Sequence, residues 1–232
     1  MDKYVLIVAG GKGLRMGGDL PKQFIPMRGK PLLMHTLEAF HRWDASARII
    51  LVLPEDHQPY WNMLCKEIGC KVPHAIVKGG DTRFFSVKNG LDWLLAERRR
   101  KGEEDSGLSL VAVHDGVRPF VSPEVVEACF DKAADTGAVI PVVPMIDSLR
   151  ETDEKGSHPV DRSRYMAVQT PQVFLLELLT KAYEQPYSSL FTDDASVVEA
   201  MGHAIDTVPG DRENIKITTP FDLLIAEAMF AR

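Results

Sequence analysis

A strand-length apolar run leads into a cluster of glycines in Tyr4-Val-Leu-Ile-Val-Ala-Gly-Gly-Lys-Gly-Leu-Arg-Met-Gly17, and Leu20-Pro-Lys-Gln-Phe24 follows closely. The run from Tyr4 to Ala9 is too short for a helix, is rich in β-branched residues and stops at glycine, so it predicts a buried strand. The glycines that come next are Gly10, Gly11 and Gly13. They let the backbone turn sharply, and the unpaired N–H groups of such a loop bind phosphate. We predict that this loop holds the triphosphate of a nucleotide.

The glycine spacing limits the kind of nucleotide site. Gly11, Gly13 and Gly17 do not fit G-x-G-x-x-G, because Met16 stands where the last glycine belongs. The chain also contains no G-x-x-x-x-G-K-[ST] run. A dinucleotide-binding domain with the usual fingerprint and a P-loop NTPase are therefore both disfavoured.

Two cations lie just beyond the glycines, although the chain as a whole is acidic. Arg15 and Lys22 add positive charge near the loop, while the formal net charge is −6 and the pI is about 5.7. An acidic chain is not expected to bind nucleic acid or a membrane surface in general, but it can hold a local cationic pocket. The alternative interpretation is a tight strand-to-loop turn with two solvated surface cations.

The remaining composition predicts a globular cytoplasmic protein. Its hydrophobic content of 45% is ordinary for a chain that buries a sizeable core. The longest apolar runs have strand length and the N-terminus has no secretory pattern, so neither a membrane span nor a secretory signal is expected. Three cysteines without a C-x-x-C spacing favour reduced thiols over a disulfide framework or a zinc site.

Short buried strands alternate with helices along most of the chain. Arg48 to Leu53 reads as a strand that Pro54 ends, and Gln58 to Ile68 reads as a helix that Gly69 closes. This alternation predicts an α/β fold with a Rossmann-like, doubly wound and mostly parallel sheet. We expect one domain over residues 1–232.

Three polar, glycine-bearing segments follow predicted strands. They are the loop at residues 10–17, Gly79-Gly-Asp-Thr-Arg83 and His114-Asp-Gly-Val-Arg-Pro119. Ligands bind at the carboxyl ends of parallel strands, so these segments are expected to meet at one edge of the sheet. In the second segment, Asp81 or Thr82 could simply cap the helix that follows.

Four further segments have predictions that the structure tests. The charged run Arg98 to Gly107 indicates a solvated loop, and Val173 to Tyr183 indicates a helix. Asn214 to Ile217 indicates a short strand. The polar residues 145–169 indicate an arm that leaves the sheet, with hairpin structure.

Taken together, these motifs resemble those of the 2-C-methyl-D-erythritol 4-phosphate cytidylyltransferase family of the non-mevalonate route to isoprenoids. The matching segments, in the order of the family, are Ala9–Gly17, Pro21–Phe24, Gly79–Val87, Val113–Pro119, Asp147–Ser148, Asp161–Arg162, Gln169–Gln172, Thr192–Ser196 and Asn214–Thr218. The related ribitol 5-phosphate cytidylyltransferases share most of them. Two positions depart from the usual pattern: Gly116, where alanine is usual, and Ser148, where threonine is frequent.

The resemblance implies a nucleotide-diphospho-sugar-transferase-like fold, CTP as a substrate and a divalent metal such as Mg²⁺. It also implies a homodimer in which the arm reaches the partner's active site. The implied catalytic residues are Arg15, Lys22 and Lys216. The implied CTP-binding residues are Ala9, Gly10, Gly11, Gly13, Gly80, Asp81, Arg83, Ser86, Asp115 and Gly116. The implied sugar-phosphate-binding residues are Arg118, Ser148, Arg162 and Thr170.

Elementary chemistry is compatible with such a reaction. A phosphate monoester, with its second pKa near ~6, is mostly dianionic at neutral pH and needs no general base to attack CTP. The difficulty is bringing two polyanions together, and Arg15, Lys22 and Lys216 would supply the charge for this. Asp115 is the candidate ligand for Mg²⁺, against the alternative of a turn-forming Asp before glycine. Asp193 and Asp194 are read as helix N-terminal charges rather than metal ligands.

Three functions remain open from the sequence. They are cytidylyl transfer to methylerythritol phosphate, the same chemistry on ribitol 5-phosphate, and a nucleotide-binding domain without catalysis.

Overall fold

A computed structural model describes residues 1–10, 20–103 and 107–231 of the chain. Twelve strands are described in chain order: β1 (Asp2–Val8), β2 (Pro26–Met27), β3 (Lys30–Pro31), β4 (Arg48–Leu53), β5 (His74–Lys78), β6 (Ser109–Asp115), β7 (Ala138–Pro144), β8 (Leu149–Asp153), β9 (Gly156–Val160), β10 (Met166–Val168), β11 (Gln172–Leu175) and β12 (Asp206–Pro209). Seven α-helices are described: α1 (Leu32–Trp43), α2 (Gln58–Ile68), α3 (Arg83–Lys101), α4 (Pro123–Thr136), α5 (Leu176–Ala182), α6 (Asp194–Glu199) and α7 (Pro220–Phe230).

Eight of these strands form one central sheet. Its order is β10-β7-β11-β6-β1-β4-β5, with β12 also paired to β7. β1, β4, β5 and β6 run parallel, whereas β10 and β11 run antiparallel to their neighbours. The predicted doubly wound α/β fold is therefore confirmed, with antiparallel strands that the sequence did not indicate.

β1 lies between β4 and β6, and its side chains alternate between two cores. Val5 and Ile7 pack on one face with residues from α1, α2 and α4, while Tyr4 and Leu6 pack on the other with residues from α3 and α5. Successive side chains of a strand point to opposite faces, so a strand with helices on both sides reads as a continuous apolar run. This is why residues 4–9 carry no charged side chain.

Several boundaries match the sequence predictions. The strand Arg48–Leu53 and the helix Gln58–Ile68 have the predicted bounds. Gly69 ends α2 in the left-handed conformation with a φ of 73°, which glycine adopts without the steric cost of a Cβ. Between the alternatives for α3, Thr82 is the N-cap, since its side chain accepts a hydrogen bond from the N–H of Phe85.

Three predicted elements were wrong. Residues 98–101 belong to α3 rather than to a solvated loop, because Arg98 is buried and its Nη1 donates to the Tyr4 hydroxyl at 2.6 Å. Residues 172–175 form β11, so the predicted helix at 173–183 begins only at Leu176. Residues 214–217 form no strand.

The polar segment after β7 forms the predicted hairpin. β8 and β9 pair antiparallel from Leu149 opposite Val160 to Asp153 opposite Gly156. The hairpin is almost wholly exposed. β10 then rejoins the central sheet by pairing with β7, so the excursion is shorter than the predicted 145–169. A cis peptide bond joins Thr170 and Pro171 between β10 and β11.

The cysteines Cys65, Cys70 and Cys129 are free thiols, as the sequence predicts. No helix among the described residues combines the length and apolar character of a membrane span.

Candidate functional site

A cavity of about 230 Å³ opens at the carboxyl ends of β1, β5 and β6. It is lined by Val8, Ala9, Gly10, Lys22, Gln23, Gly80, Asp81, Thr82, Arg83, Ser86, Asp115, Val117 and Lys216. The predicted meeting at one sheet edge is therefore seen for Gly10, Gly80–Arg83 and Asp115, while residues 11–17 of the glycine loop lie outside the described residues. A larger cavity of about 840 Å³ lies beside Ser109, at the start of β6. Its lining includes the end of the antiparallel strand β11 but none of the described residues that directly follow the parallel strands β1, β5 and β6, where parallel sheets bind ligands.

Asp115, the last residue of β6, forms the charged floor of the smaller cavity. Its Oδ2 lies 3.0 Å from Lys216 Nζ and accepts a hydrogen bond from Arg118 Nε at 3.2 Å, and its Oδ1 lies 3.9 Å from Arg83 Nε. Burial opposes ionisation, but the charges of Lys216, Arg83 and Arg118 outweigh it and hold the pKa of Asp115 well below its ordinary value. Asp115 is therefore a carboxylate throughout the neutral range.

A hydrogen-bonded layer beneath Asp115 fixes the loop that follows β6. His114 is fully buried, and burial lowers the pKa of its imidazole to about 4. The neutral ring places Nε2 at 3.1 Å from the carbonyl oxygen of Arg118, to which it donates, while Nδ1 accepts from Thr170 Oγ1 at 3.0 Å. Thr170 Oγ1 also accepts the N–H of Asp115 at 3.2 Å. His114 is thus a neutral positioning group beneath the floor.

The wall formed by residues 79–86 is shaped by close packing. A Cβ at Gly80 would lie 2.4 Å from the Cβ of Phe85, so only glycine fits there. Ser86 Oγ accepts the N–H of Gly80 at 3.0 Å and lies 2.9 Å from the carbonyl oxygen of Thr82, to which it donates. Ser86 therefore ties the loop to the first turn of α3.

Arg83 turns its guanidinium toward Asp194. The two Nη groups donate to the two carboxylate oxygens of Asp194 at 2.9 and 2.6 Å. Asp194 is fully buried and also accepts a hydrogen bond from the Tyr183 hydroxyl at 2.6 Å. Burial opposes the charge of Arg83, but Asp194 outweighs it and raises the pKa of the guanidinium further. Both Nη groups of Arg83 are therefore bonded to Asp194, while its Nε lies toward Asp115.

The turn Lys22–Phe24 closes the side of the cavity next to β1. Gln23 is buried, and its Nε2 donates to the carbonyl oxygen of Ala9 at 2.9 Å. Phe24 packs in the core against Trp61, which anchors the turn. Lys22 is thereby placed at the cavity, where it is a lining residue.

The predicted site residues fall into four groups. Those that line the cavity are Ala9, Gly10, Lys22, Gly80, Asp81, Arg83, Ser86, Asp115 and Lys216. Those that lie behind the lining, hydrogen-bonded to β1 or to Asp115, are Gly116, Arg118 and Thr170. Those on the arm, exposed and outside this lining, are Ser148 and Arg162. Those outside the described residues are Gly11, Gly13 and Arg15.

The guanidinium of Arg118 bonds two groups of the chain itself. Besides Asp115, it donates from Nη1 to the carbonyl oxygen of Asn214 at 2.7 Å. On the arm, Arg162 donates from Nη1 to the carbonyl oxygen of Ile146. Asp193 caps α6 as predicted, with a capping box to Ser196.

Sequence reasoning missed three residues that shape the site: Gln23, Asp194 and Asn214. Gln23 and Asn214 lie inside matched motifs but carry no charge, and Asp194 was read as a helix-terminal charge. Asp194 contacts Arg83 across 111 positions of sequence. The one sequence signal for this contact is that an acidic motif at Asp194 could pair with a basic motif at Arg83.

Comparison with known proteins agrees with this geometry. The family described as 2-C-methyl-D-erythritol 4-phosphate cytidylyltransferase matches residues 4–232. The chain belongs to this family. Among the curated members, the 2-C-methyl-D-erythritol 4-phosphate cytidylyltransferase of Bacteroides fragilis is 55% identical over 229 residues, covering 99% of this chain and all of the relative. That of Alkaliphilus metalliredigens is 39% identical, covering 97% of this chain and 91% of the relative.

Solved structures of cytidylyltransferases of this family share the fold. The enzyme from Thermus thermophilus superposes with a TM-score of 0.74 at 32% identity, with full coverage of both chains. The 4-diphosphocytidyl-2C-methyl-D-erythritol synthase from Anaerococcus prevotii superposes with a TM-score of 0.79 at 28% identity, covering all of this chain and 96% of the other.

The donor set at the cavity fits a magnesium ion that substrate phosphates share. Within the described ranges, no three His, Cys, Asp or Glu side chains gather into a metal cluster. Mg²⁺ usually takes one or two protein carboxylates together with phosphates and water, and Asp115 supplies an ionised carboxylate at the floor. Asp115 is thus compatible with a shared ion.

Proposed function

We propose that this chain transfers the cytidylyl group of CTP to 2-C-methyl-D-erythritol 4-phosphate, giving 4-CDP-2-C-methyl-D-erythritol and pyrophosphate. Membership of the cytidylyltransferase family makes it a nucleotidyltransferase. The observation that carries the assignment is the Asp115–Lys216 pair, 3.0 Å apart, which faces the same cavity as Lys22 and the Gly80 wall. This combination suits two phosphate groups beside one ion-binding carboxylate.

In the proposed reaction, a phosphate oxygen of the sugar-alcohol phosphate attacks the α-phosphorus of CTP. The new bond joins that oxygen to the α-phosphorus, and the bond from the α-phosphorus to the bridging oxygen of the β-phosphate breaks, so that pyrophosphate leaves with the electron pair. The nucleophile is already dianionic near neutral pH. A general base is therefore unnecessary, which agrees with the buried, neutral state of His114.

Catalysis then rests on positioning and on positive charge. Lys22 and Lys216 are compact point charges on opposite segments of the cavity lining, and Arg15 is proposed to join them from the glycine loop. Removal of one well-placed charge donor typically costs ~3 kcal/mol in the transition state, or roughly a hundredfold in rate. When bound, Mg²⁺ would neutralise phosphate charge, with Asp115 as its proposed protein ligand.

The proposed nucleotide subsite combines two parts of the cavity. Ala9, Gly10 and Gly116, with Gly11 and Gly13 of the glycine loop, are assigned to the triphosphate side. Gly80, Asp81 and Ser86 are assigned to the cytosine, whose N4 amino group needs an acceptor. Arg83 is assigned an indirect role, since both of its Nη groups are bound to Asp194.

The arm is proposed to complete the sugar-phosphate subsite of a partner in a homodimer. Ser148 and Arg162 are exposed and do not line the cavity of their own chain, while Arg118 and Thr170 lie next to it. A complementation experiment tests this. Lys216→Ala and Arg162→Ala chains, each impaired alone, should recover activity when they are co-expressed as a mixed dimer. No recovery in a verified mixed dimer would contradict an arm that acts in trans.

Pyrophosphate release provides the direct test of the function. The protein is incubated with CTP and Mg²⁺ plus 2-C-methyl-D-erythritol 4-phosphate, or plus ribitol 5-phosphate, with Lys22→Ala as the control enzyme. We expect rapid release with methylerythritol phosphate and a roughly hundredfold slower rate in the control. Release only with ribitol 5-phosphate would reject this substrate assignment, and binding of CTP without release would favour the non-catalytic alternative.

A further inference from the structure

The residues that carry Lys216 have no regular secondary structure. Between the end of β12 at Pro209 and the start of α7 at Pro220, the chain runs past β6 without joining the sheet. A lysine side chain is long and flexible, so the position of its ammonium group depends on how firmly its backbone is held. Lys216 nevertheless places Nζ 3.0 Å from Asp115. Side-chain hydrogen bonds must therefore take the place of a strand ladder.

Asn214 supplies these bonds on one side of Lys216. The residue is fully buried, and its Nδ2 donates to the carbonyl oxygen of Thr170 at 2.8 Å. The main-chain carbonyl oxygen of Asn214 accepts a hydrogen bond from Nη1 of Arg118 at 2.7 Å. Thr170 and Arg118 are the two residues that hold the backbone and the carboxylate of Asp115. Asn214 thus binds the lysine segment to the partners of the carboxylate that Lys216 contacts.

Two further contacts hold the segment that carries Lys216, one on each side of Asn214 and Lys216. On the far side of Lys216, the N–H of Ile217 donates to the carbonyl oxygen of Val117 at 3.0 Å, and Ile217 is fully buried. Before Asn214, the side-chain amide of Gln169 bonds both the carbonyl oxygen and the N–H of Asp211, at 2.7 and 3.1 Å. Lys216 therefore lies between two anchors that end on one loop, residues 115–118.

Only the donor of the Asn214 side-chain amide has a protein partner. Among the described residues, no protein group bonds the buried Oδ1 of Asn214. A buried acceptor without a protein partner offsets part of the stability that the Nδ2 bond contributes.

We infer that Asn214 is a positioning residue for cytidylyl transfer, which acts by fixing Lys216 against Asp115. The inference rests on the proposed function, because Lys216 must act on the reacting phosphates for its position to matter. Loss of the Nδ2 donor frees Asn214 from Thr170, so that the backbone next to Lys216 can shift and carry the ammonium group out of its place. A displacement of about 1 Å at a reacting group can lower turnover by up to about a hundredfold.

A double-mutant cycle tests the inference with kcat at saturating substrates. Lys216→Ala should lower kcat about a hundredfold. Asn214→Ala should lower it about tenfold in the wild type, but less than about twofold in the Lys216→Ala background, because its target is then absent. Asn89→Ala is the matched control, since Asn89 is half-buried on α3 and its Nδ2 also donates to a main-chain carbonyl oxygen, that of Lys78. It should leave kcat unchanged.

The outcomes distinguish a failure of the positioning role of Asn214 from a failure of the proposed function. An equal loss on Asn214→Ala in both backgrounds would mean a general structural role and would overturn the inference while leaving the proposed function intact. Unchanged turnover in Lys216→Ala would overturn the role of Lys216 and the inference with it. If Asn214→Ala does not fold, Gln169→Glu takes its place in the same cycle.

Chemical labelling gives a readout that does not need activity. Acetylation of lysines by acetic anhydride, followed by peptide mass spectrometry, reports how freely each amine reacts. Asn214→Ala should raise the rate at Lys216 several-fold relative to Lys155, which lies exposed at the hairpin turn. An unchanged ratio would contradict the positioning role even if the enzyme showed no cytidylyl transfer.

Discussion

Two walls of the same cavity are held in different ways. The glycine wall, residues 79–86, is set by contact between backbone and Cβ atoms, with the tightest approach at Gly80 and Phe85. The charged wall, residues 115–118 with 214–217, is set by ion pairs and buried hydrogen bonds around Asp115. The glycine wall has no room for added atoms at Gly80. The charged wall is expected to fail when a charge or a hydrogen-bond donor is lost. Small and chemically opposite changes should therefore disable each wall.

The largest effect is expected from removal of the central charge of the charged wall. Asp115→Asn keeps the size of the side chain but leaves Lys216 and Arg118 without their carboxylate. We expect kcat/KM to fall by a hundredfold or more, roughly, with reduced stability as well. Pyrophosphate release and urea unfolding measure the two effects. Asp92→Asn, on the exposed face of α3, is the control. Near-normal turnover in Asp115→Asn would show that the ion pairs of the charged wall are not needed for activity.

A single added methyl group should disable the glycine wall. In Gly80→Ala the new Cβ would meet Phe85 Cβ at 2.4 Å and its carbonyl carbon at 2.9 Å, so the loop must move. Activity should fall about a hundredfold, and the free energy of unfolding should fall by about 1–3 kcal/mol. Gly10→Ala is the matched comparison, since its Cβ would meet no atom of the described residues closer than 3.9 Å, and it should lose less than about tenfold. Equal losses in both variants would argue against steric control.

The neutral histidine beneath the charged wall makes stability depend on pH. The pKa of His114 is about 4 in the folded protein against 6.5 as its ordinary value. The stabilisation is fully present above pH 6.5 and is lost as pH falls toward 4, because only the unfolded chain takes up the proton in that range. Between about pH 7.5 and about pH 5 the contribution is about 2 kcal/mol.

Urea unfolding at these two pH values measures the histidine effect. His114→Gln should be less stable than the wild type at neutral pH and should lose about 2 kcal/mol less on acidification. His158→Gln, on the exposed arm, should keep the wild-type pH dependence. An identical pH dependence in His114→Gln would show that the buried ring does not carry this linkage.

The smallest effect is expected on stability, where Gly116 of the charged wall packs against Ala9 directly after β1. A Cβ at Gly116 would lie 2.8 Å from the Cβ of Ala9 and 3.1 Å from Leu33 Cδ1, which is the end of a longer side chain. Gly116→Ala should therefore cost about 1–2 kcal/mol in the free energy of unfolding. The double variant Ala9→Gly with Gly116→Ala should recover most of it. Absence of recovery would mean that the two positions do not compete for space.

The parts of the fold that the sequence predicted well carry local signals. β4 and α2 have their predicted bounds because Pro54 and Gly69 end them by backbone chemistry alone. The glycine wall belongs to this class, since its glycines directly follow a strand. Such features depend on neighbours in sequence.

The parts that were mispredicted depend on distant residues. Residues 173–180 are apolar enough to fit a strand or a helix, and only the edges of β6 and β7 decide that 172–175 extend as β11. Likewise, the segment at 214–217 resembles a strand but is held by Thr170 and Arg118 instead. The charged wall was therefore recognised as a set of residues, while its supports were not.

The place of β11 in the sheet also constrains the order in which the chain can mature. β1, β4, β5 and β6 leave the ribosome before β11 and can pair with one another, but among the described strands only β11 covers the second edge of β6, and β11 follows the whole arm. Every residue of β6 is buried in the finished protein. A nascent chain stalled before Leu175 therefore presents a long apolar strand edge, the form most prone to pair with another chain.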